Sequence, residues 1–247
     1  MKSVKYGLLG HPLGHSFSRK FHNDRFAALG IDAEYLNFDV ENVEMLQQIL
    51  AENSNLRGLN VTIPYKQQVM PMLDELDPLA ERIGAVNTIK VMPDGKLKGY
   101  NTDIIGFTES LRPMLPEGLQ TASLVLGTGG ASKAIFVALE NLGLNPQYVS
   151  RTPGENCITY ADLSAEVMAS HLVIVNCTPL GMHPKVEGCP AIPYELLTPQ
   201  HICFDCVYNP AETRFMQLAA AQGAKVKCGQ EMLEGQAIAS YEIWTSK

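Results

Sequence analysis

Ser123-Leu124-Val125-Leu126-Gly127-Thr128-Gly129-Gly130-Ala131-Ser132 is the stretch on which the fold turns. A short aliphatic strand runs into a glycine-rich turn, a helix is expected over Lys133–Leu142, and Gln147–Ser150 reads as the next strand. Strand, glycine loop, helix and strand make the opening βαβ of a doubly wound nucleotide-binding sheet. Gly127 and Gly129 permit the tight turn and let backbone N–H groups approach a pyrophosphate at the helix N-terminus. Ser132 stands where the third glycine of GxGxxG would fall. The second strand ends Ser150-Arg151-Thr152, with no carboxylate before Glu155. A site for NAD usually carries Asp or Glu there to hold the ribose 2′-hydroxyl, whereas Arg151 can pair with a 2′-phosphate and stack on adenine. NADP is expected over NAD, with NAD still open.

Further strands are expected at Leu172–Asn176, Ile202–Val207 and Lys225–Lys227, with a helix at Glu212–Ala221 between the last two. A final helix of about Met232–Trp244 either caps this domain or crosses back to the first half. Upstream, the helix Ile104–Leu115 leads into a linker with Pro113, Pro116 and Gly118. The first half alternates strand and helix: Lys5–Leu9, Ser18–Leu29 stopped by Gly30, Glu34–Phe38, Val43–Ala51, Leu59–Ile63 and a helical Gln67–Leu73. Ala85–Met92 and Lys96–Tyr100 read as a hairpin around Pro93-Asp94-Gly95. This half is α/β without a glycine-rich phosphate loop, a candidate substrate domain.

At 247 residues, 46% apolar and 18% charged, the chain suits two modest domains with full cores. A net charge of −7 argues against nucleic acid as a partner, since backbone affinity needs clustered Lys and Arg. No apolar run approaches the roughly 20 residues that span a bilayer, and the N-terminal stretch lacks a signal peptide's long apolar region, so a cytoplasmic location is expected. The six cysteines have no framework-like spacing, and reduced thiols follow. Cys203 and Cys206 form a CxxC within a strand-like stretch; strand residues three apart face opposite sides, so buried, inert thiols are expected there. His11 and His15 flank Pro12-Leu13-Gly14, share no helical face and have no acidic partner nearby in sequence. No metal site is expected.

Three segments carry polar groups that a core would not want. Gly10–Ser18 offers hydroxyls in a loop leaving a strand; Asn60-Val61-Thr62-Ile63-Pro64-Tyr65-Lys66 puts Asn60 and Thr62 on one strand face and Lys66 just past its end. Gly99-Tyr100-Asn101-Thr102-Asp103 ends another strand. Such groups gather at strand ends, where α/β ligands bind. Each has a plainer reading, with Ser16, Ser18 or Asp103 as helix caps and Lys66 as a surface cation.

In order along the chain stand His15-Ser16-x-Ser18, Asn60-Val61-Thr62-x-Pro64-x-Lys66, Gly84-Ala85-Val86-Asn87-Thr88 and Asn101-Thr102-Asp103-x-x-Gly106. They continue as Gly127-x-Gly129-Gly130-Ala131, Asn176-x-Thr178-Pro179-x-Gly181-Met182, Asp205-x-x-Tyr208-x-Pro210 and Gly229-Gln230-x-Met232-Leu233-x-x-Gln236. With these the sequence resembles the shikimate dehydrogenase family over nearly its whole length. The resemblance implies an N-terminal α/β substrate domain (residues 1–103, closed by the returning C-terminal helix 232–247) and a Rossmann-type NADP-binding domain (104–231). It implies that Ser16 and Ser18 bind the substrate carboxylate, and that Thr62, Asn87, Asp103 and Gln236 hold ring hydroxyls, with Tyr208 at the substrate side. Lys66 and Asp103 look like the family's catalytic pair. Gly127, Gly129, Gly130, Ala131, Arg151, Thr152 and Thr178 would line the cofactor, with Met232 near the nicotinamide. Two departures stand out: Arg19 where the family commonly has Pro, and Pro153-Gly154-Glu155 where it commonly has a second basic residue for the phosphate.

The residue types suit reduction of a ring ketone, which needs a hydride donor and a group to protonate the developing alkoxide. A lysine beside a carboxylate supplies positive charge there and relays the proton. The expected reaction is 3-dehydroshikimate with NADPH to shikimate with NADP, by a monomer or homodimer. The rival readings are a dehydrogenase for quinate or an amino-substituted ring using NAD, a catalytically silent dinucleotide sensor, and a folate-linked dehydrogenase, which would share the lysine but not the serine loop.

Overall fold

The computed structural model describes residues 3–14 and 16–246; His15, part of the serine-loop signature, lies outside the described residues. The described residues fall into two compact units, one within Met1–Thr102 and Ala237–Lys247, the other Asp103–Gln236.

The first unit runs β1 (Val4–Gly10), α1 (Phe17–Leu29), β2 (Ala33–Asp39), α2 (Leu46–Glu52), β3 (Leu56–Val61), β4 (Glu75–Leu76), α3 (Pro78–Ile83), β5 (Thr88–Val91) and β6 (Leu97–Tyr100). Its sheet has the order β2-β1-β3-β5-β6-β4. β1 lies parallel between β2 and β3, and the β5–β6 hairpin extends the sheet antiparallel from β3. Alternation along β1 sends Leu9 into one apolar cluster with Leu46, Leu59, Val69 and Ile89, and Tyr6 and Leu8 into another with Phe26, Tyr35 and Trp244. Trp244 stacks on Tyr6 with ring centroids 4.8 Å apart and donates its indole N–H to the Ile89 carbonyl at 3.0 Å. Gly58 makes room for it: a Cβ there would fall 2.2 Å from the indole Cδ1.

Some local expectations shift, and one element was not expected. Gln67–Leu73 is not a helix but tight turns and a 3-10 segment, Met70–Met72, because Pro71 lacks the N–H that a longer helix needs. β3 begins at Leu56 and stops at Val61, where the Tyr65 N–H donates to the Thr62 carbonyl and closes a turn. α3, which sequence pattern missed, is only six residues long, capped by Asp77 with Pro78 in its first turn.

The second unit runs α4 (Asp103–Leu111), β7 (Ser123–Leu126), α5 (Gly130–Asn141), β8 (Pro146–Ser150), β9 (Cys157–Thr159), α6 (Ala165–Ser170), β10 (Val173–Asn176), β11 (Ile202–Asp205), α7 (Arg214–Ala221) and β12 (Lys225–Cys228). α8 (Gln230–Thr245) belongs to this unit as far as Gln236 and to the first from Ala237 onward. All six strands are parallel, in the order β12-β11-β10-β7-β8-β9. Every residue of β7, β10 and β11 is buried, as a sheet covered on both faces requires. α4 and the start of α8 meet backbone to backbone: a Cβ on Gly106 would fall 2.2 Å from the Met232 carbonyl oxygen. Among the described residues, no helix is long and apolar enough to cross a membrane.

Candidate active site

In the second unit the strand order reverses between β7 and β10, and ligands of such sheets bind beyond the carboxyl ends of the strands at that point. A cavity of about 560 Å³ lies there, lined by residues that include Gly127, Thr128, Gly129, Arg151, Tyr160 and Thr178. Gly127 holds φ +97°, a region that side chains disfavour, and a Cβ on it would meet the Thr178 methyl at 3.0 Å. Gly129 caps α5 with open space where its Cβ would be, so the first-turn amides of Gly130 and Ala131 are not screened by a side chain at the cap. Ser132, in place of the third glycine, is fully buried and turns its hydroxyl back onto the Gly129 carbonyl at 2.6 Å. Its small side chain therefore serves the same close packing.

Among the described residues that line this cavity none is a carboxylate, and Arg151 is exposed at its rim. An N-terminal helix end, an uncrowded glycine and an arginine fit a dinucleotide bearing a 2′-phosphate. Thr152 follows Arg151 but does not line the cavity; its N–H is held by the Ser150 hydroxyl at 3.1 Å. Met232 lies buried in α8, outside the lining residues.

The loop after β10 is held from beneath. Asn176 Oδ1 accepts from the Thr178 N–H at 3.0 Å and hydroxyl at 2.7 Å, while its Nδ2 donates to Asp205 Oδ1 at 2.9 Å. Asp205 also accepts from the Val207 N–H at 3.0 Å and the Thr213 hydroxyl at 2.5 Å. Burial pushes the Asp205 carboxyl up to about 6, against these hydrogen bonds. Asn176 and Asp205 sit in two of the ordered sequence motifs but received no role there. The residues that lean on them lie up to 29 positions away, so spacing carried no signal.

In the first unit Ser16 is the N-cap of α1, its hydroxyl accepting the Arg19 N–H at 3.2 Å. Ser18 lies inside α1 rather than in an extended loop beside Ser16, and it hydrogen-bonds the Tyr35 hydroxyl. Burial holds that phenol well above its ordinary range. Ser16 also lines a cavity of about 420 Å³ with Arg19, Lys20, Asn23 and Asn37. From Ser18 a buried chain continues inward. The Tyr35 hydroxyl donates to Asn60 Oδ1 at 2.7 Å, and Asn60 Nδ2 donates to Ser240 Oγ at 2.8 Å. Ser240 meets Thr88 at 2.8 Å and Thr102 at 3.0 Å, and both threonines meet Asn87 Oδ1. The chain thus joins Ser18 to Asn87 through residues that sequence reasoning did not single out, Tyr35 and Ser240.

Thr62 follows β3 and donates its N–H to the Leu9 carbonyl at 2.9 Å; Lys66 is half-buried, its carbonyl accepting the Val86 N–H at 2.8 Å. In the second unit Asp103 opens α4 and is 7% exposed, Tyr208 is half-buried after β11, and Gln236 is buried in α8, donating to the Leu233 carbonyl at 2.9 Å. Among the described residues, no group of three His, Cys, Asp or Glu could hold a metal ion.

A parallel sheet with a glycine turn and an arginine at its switch point, preceded by a separate α/β unit, defines a dinucleotide-binding α/β protein with a second domain. The family model described as "Shikimate dehydrogenase substrate binding domain" matches residues 8–89. A curated relative from Desulforamulus reducens, named shikimate dehydrogenase (NADP(+)), is 39% identical over 99% of this chain and 90% of its own length. The crystal structure of shikimate 5-dehydrogenase from Thermus thermophilus in complex with NADP(H) and shikimate superposes with a TM-score of 0.85 at 35% identity, covering 98% of this chain and 93% of that one. Quinate dehydrogenase from Corynebacterium glutamicum in complex with NAD gives 0.88 at 28% identity, covering 98% and 94%. The chain belongs to the shikimate dehydrogenase family.

Proposed function

We propose that this chain catalyses the reversible, NADP-dependent reduction of 3-dehydroshikimate to shikimate. The observation that carries this reading is the cavity at the switch point, where Gly127, Gly129 and Arg151 meet with no carboxylate among the described lining residues, in a chain related over its full length to NADP-dependent shikimate dehydrogenases. Gly127, Gly129, Gly130, Ala131, Arg151, Thr152 and Thr178 would hold the cofactor, with Met232 near its nicotinamide; when bound, it supplies the hydride.

Lys66 serves as general acid and base at the substrate oxygen, delivering a proton as negative charge develops there, and Asp103 orients it. Ser16 and Ser18 hold the substrate carboxylate, an assignment supported by Arg19 and Lys20 on the cavity that Ser16 lines. Thr62, Asn87, Asp103 and Gln236 receive ring hydroxyls, and Tyr208 stands on the substrate side. Asn87 suits this role because three hydrogen bonds to its Oδ1 fix its amide plane.

Steady-state rates for shikimate and quinate, each with NADP and NAD, test the reading. A kcat/KM highest for shikimate with NADP supports it, and preference for quinate with NAD overturns it. That second pairing is favoured by one observation, the absence of another basic residue in Pro153-Gly154-Glu155.

A further inference from the structure

Two of the six thiols stand apart from the rest. Cys177 and Cys206 bring their sulfurs to 3.9 Å, and both residues are half-buried. Their placement follows from strand register: Asn176 of β10 is opposite Asp205 of β11, and each cysteine is the next residue. Pairing continues through them, since the Cys206 N–H donates to the Asn176 carbonyl at 2.9 Å. Neighbouring strands lie about 4.8 Å apart, within the range of about 4.4–6.8 Å that a disulfide requires between Cα atoms. Cys177 lines the switch-point cavity, immediately before Thr178, whose methyl abuts Gly127. Cys203, by contrast, is fully buried in the core, as the CxxC reading expected, whereas Cys206, expected to be buried as well, is only half-buried because it lies just past the end of β11.

We propose that Cys177 and Cys206 are an oxidation site: a peroxide converts them to a disulfide at the floor of this cavity and thereby weakens dinucleotide binding. In the first step the Cys177 sulfur attacks one peroxide oxygen, the O–O bond breaks, and a sulfenic acid and one water form. In the second, the Cys206 sulfur attacks that sulfenic sulfur, the S–O bond breaks, and a second water leaves. The thiols lose two protons and two electrons, and the peroxide takes both. Cys177 is the sulfur oxidised first because it lines the cavity. The hydrogen bond with Cys177 and burial hold the Cys206 thiol well up, so Cys206 is the slower of the two to react with peroxide. Closing the S–S bond to about 2.05 Å draws the two strand ends together beneath Thr178, disturbing the contact between Thr178 and Gly127. Transient, regulatory disulfides of this kind are compatible with a reducing compartment.

The crosslink stands independently of the proposed function, whereas its effect on the cofactor rests on it. The reduced protein is treated with hydrogen peroxide and digested without reductant, and its peptides are mapped by mass; NADP+ affinity is measured before treatment, after it, and after dithiothreitol. The expected result is a Cys177–Cys206 peptide lighter by two hydrogens, NADP+ affinity lowered roughly tenfold or more, and recovery with dithiothreitol. Cys206→Ser and Cys206→Ala, each checked for a native thermal midpoint, should lose the crosslink and the reversible fall in affinity. Sulfinic acid at Cys177 without a crosslink, pairing of Cys177 with Cys189 instead, or a crosslink that leaves affinity unchanged would each overturn the proposal. A reduced protein that binds no NADP+ would refute the proposed function instead, and the peptide map then judges the disulfide by itself.

Discussion

The backbone N–H of Thr102 donates to Asn87 Oδ1 at 2.7 Å, and the Thr102 hydroxyl meets the same oxygen at 3.1 Å. This ties the residue before Asp103 to a side chain proposed to hold substrate. Both ends are buried, so the geometry is set by hydrogen bonds that water does not contest. Asn87→Ala would leave the Thr102 N–H without this acceptor and cost both stability and substrate affinity; Lys66 and Arg151 give cleaner readouts.

Lys66→Ala is expected to lower kcat by roughly 10²–10⁴-fold with KM for shikimate little changed, the scale of general acid–base loss. Steady-state kinetics on a variant with a native thermal midpoint checks this. A kcat near wild type removes Lys66 from the proton transfer.

Arg151→Ala should raise KM for NADP while leaving KM for NAD almost unaltered, because only NADP carries the 2′-phosphate. With no second basic residue nearby, the loss is expected to be modest, about tenfold. Equal changes for both cofactors would mean that Arg151 does not read the phosphate.

Ser16 and Ser18 make different predictions now that their local structure is known. Ser16→Ala removes the α1 cap and should lower stability by about 1 kcal/mol. Ser18→Ala removes the bond to Tyr35, at about 0.5–1.5 kcal/mol. If both also hold the substrate carboxylate, the double variant should raise KM by roughly ten- to a hundred-fold. Thermal midpoints that fall while KM stays flat would make both serines structural.

Asp205 predicts a pH dependence of stability. Its carboxyl is raised from 3.8 to about 6, so the folded state holds the proton more tightly than the unfolded one. The stabilisation this gives is fully present below pH 3.8 and is lost as pH rises through about 6, a swing of about 3 kcal/mol at most. Urea unfolding of wild type and Asp205→Asn across this window should show the difference between them changing with pH. A constant difference would mean that Asp205 does not titrate there.

The stretch from Ser123 to Ser132 carried the second unit by itself. Four consecutive buried residues followed by glycines admit few structures other than a covered parallel strand entering a helix, and β7 occupies the expected residues. The long helices α1 and α8 were legible for a similar reason: a cap and αL glycine bound α1, and length marks α8. The ordered polar motifs likewise declared the family, because each keeps reactive side chains at strand ends. What the sequence could not determine was the company these residues keep. Asn60 reads as a ligand group but is spent inside, bonded to Tyr35 and Ser240, the latter 180 positions away. Asn176 and Asp205 meet only because β10 and β11 are neighbours in a sheet, and the same pairing brings Cys177 to Cys206 and leaves Cys203 in the core. Periodicity is local and reports which face of an element is apolar; hydrogen-bond partners and thiol neighbours depend on strand order and register, which long-range packing alone decides.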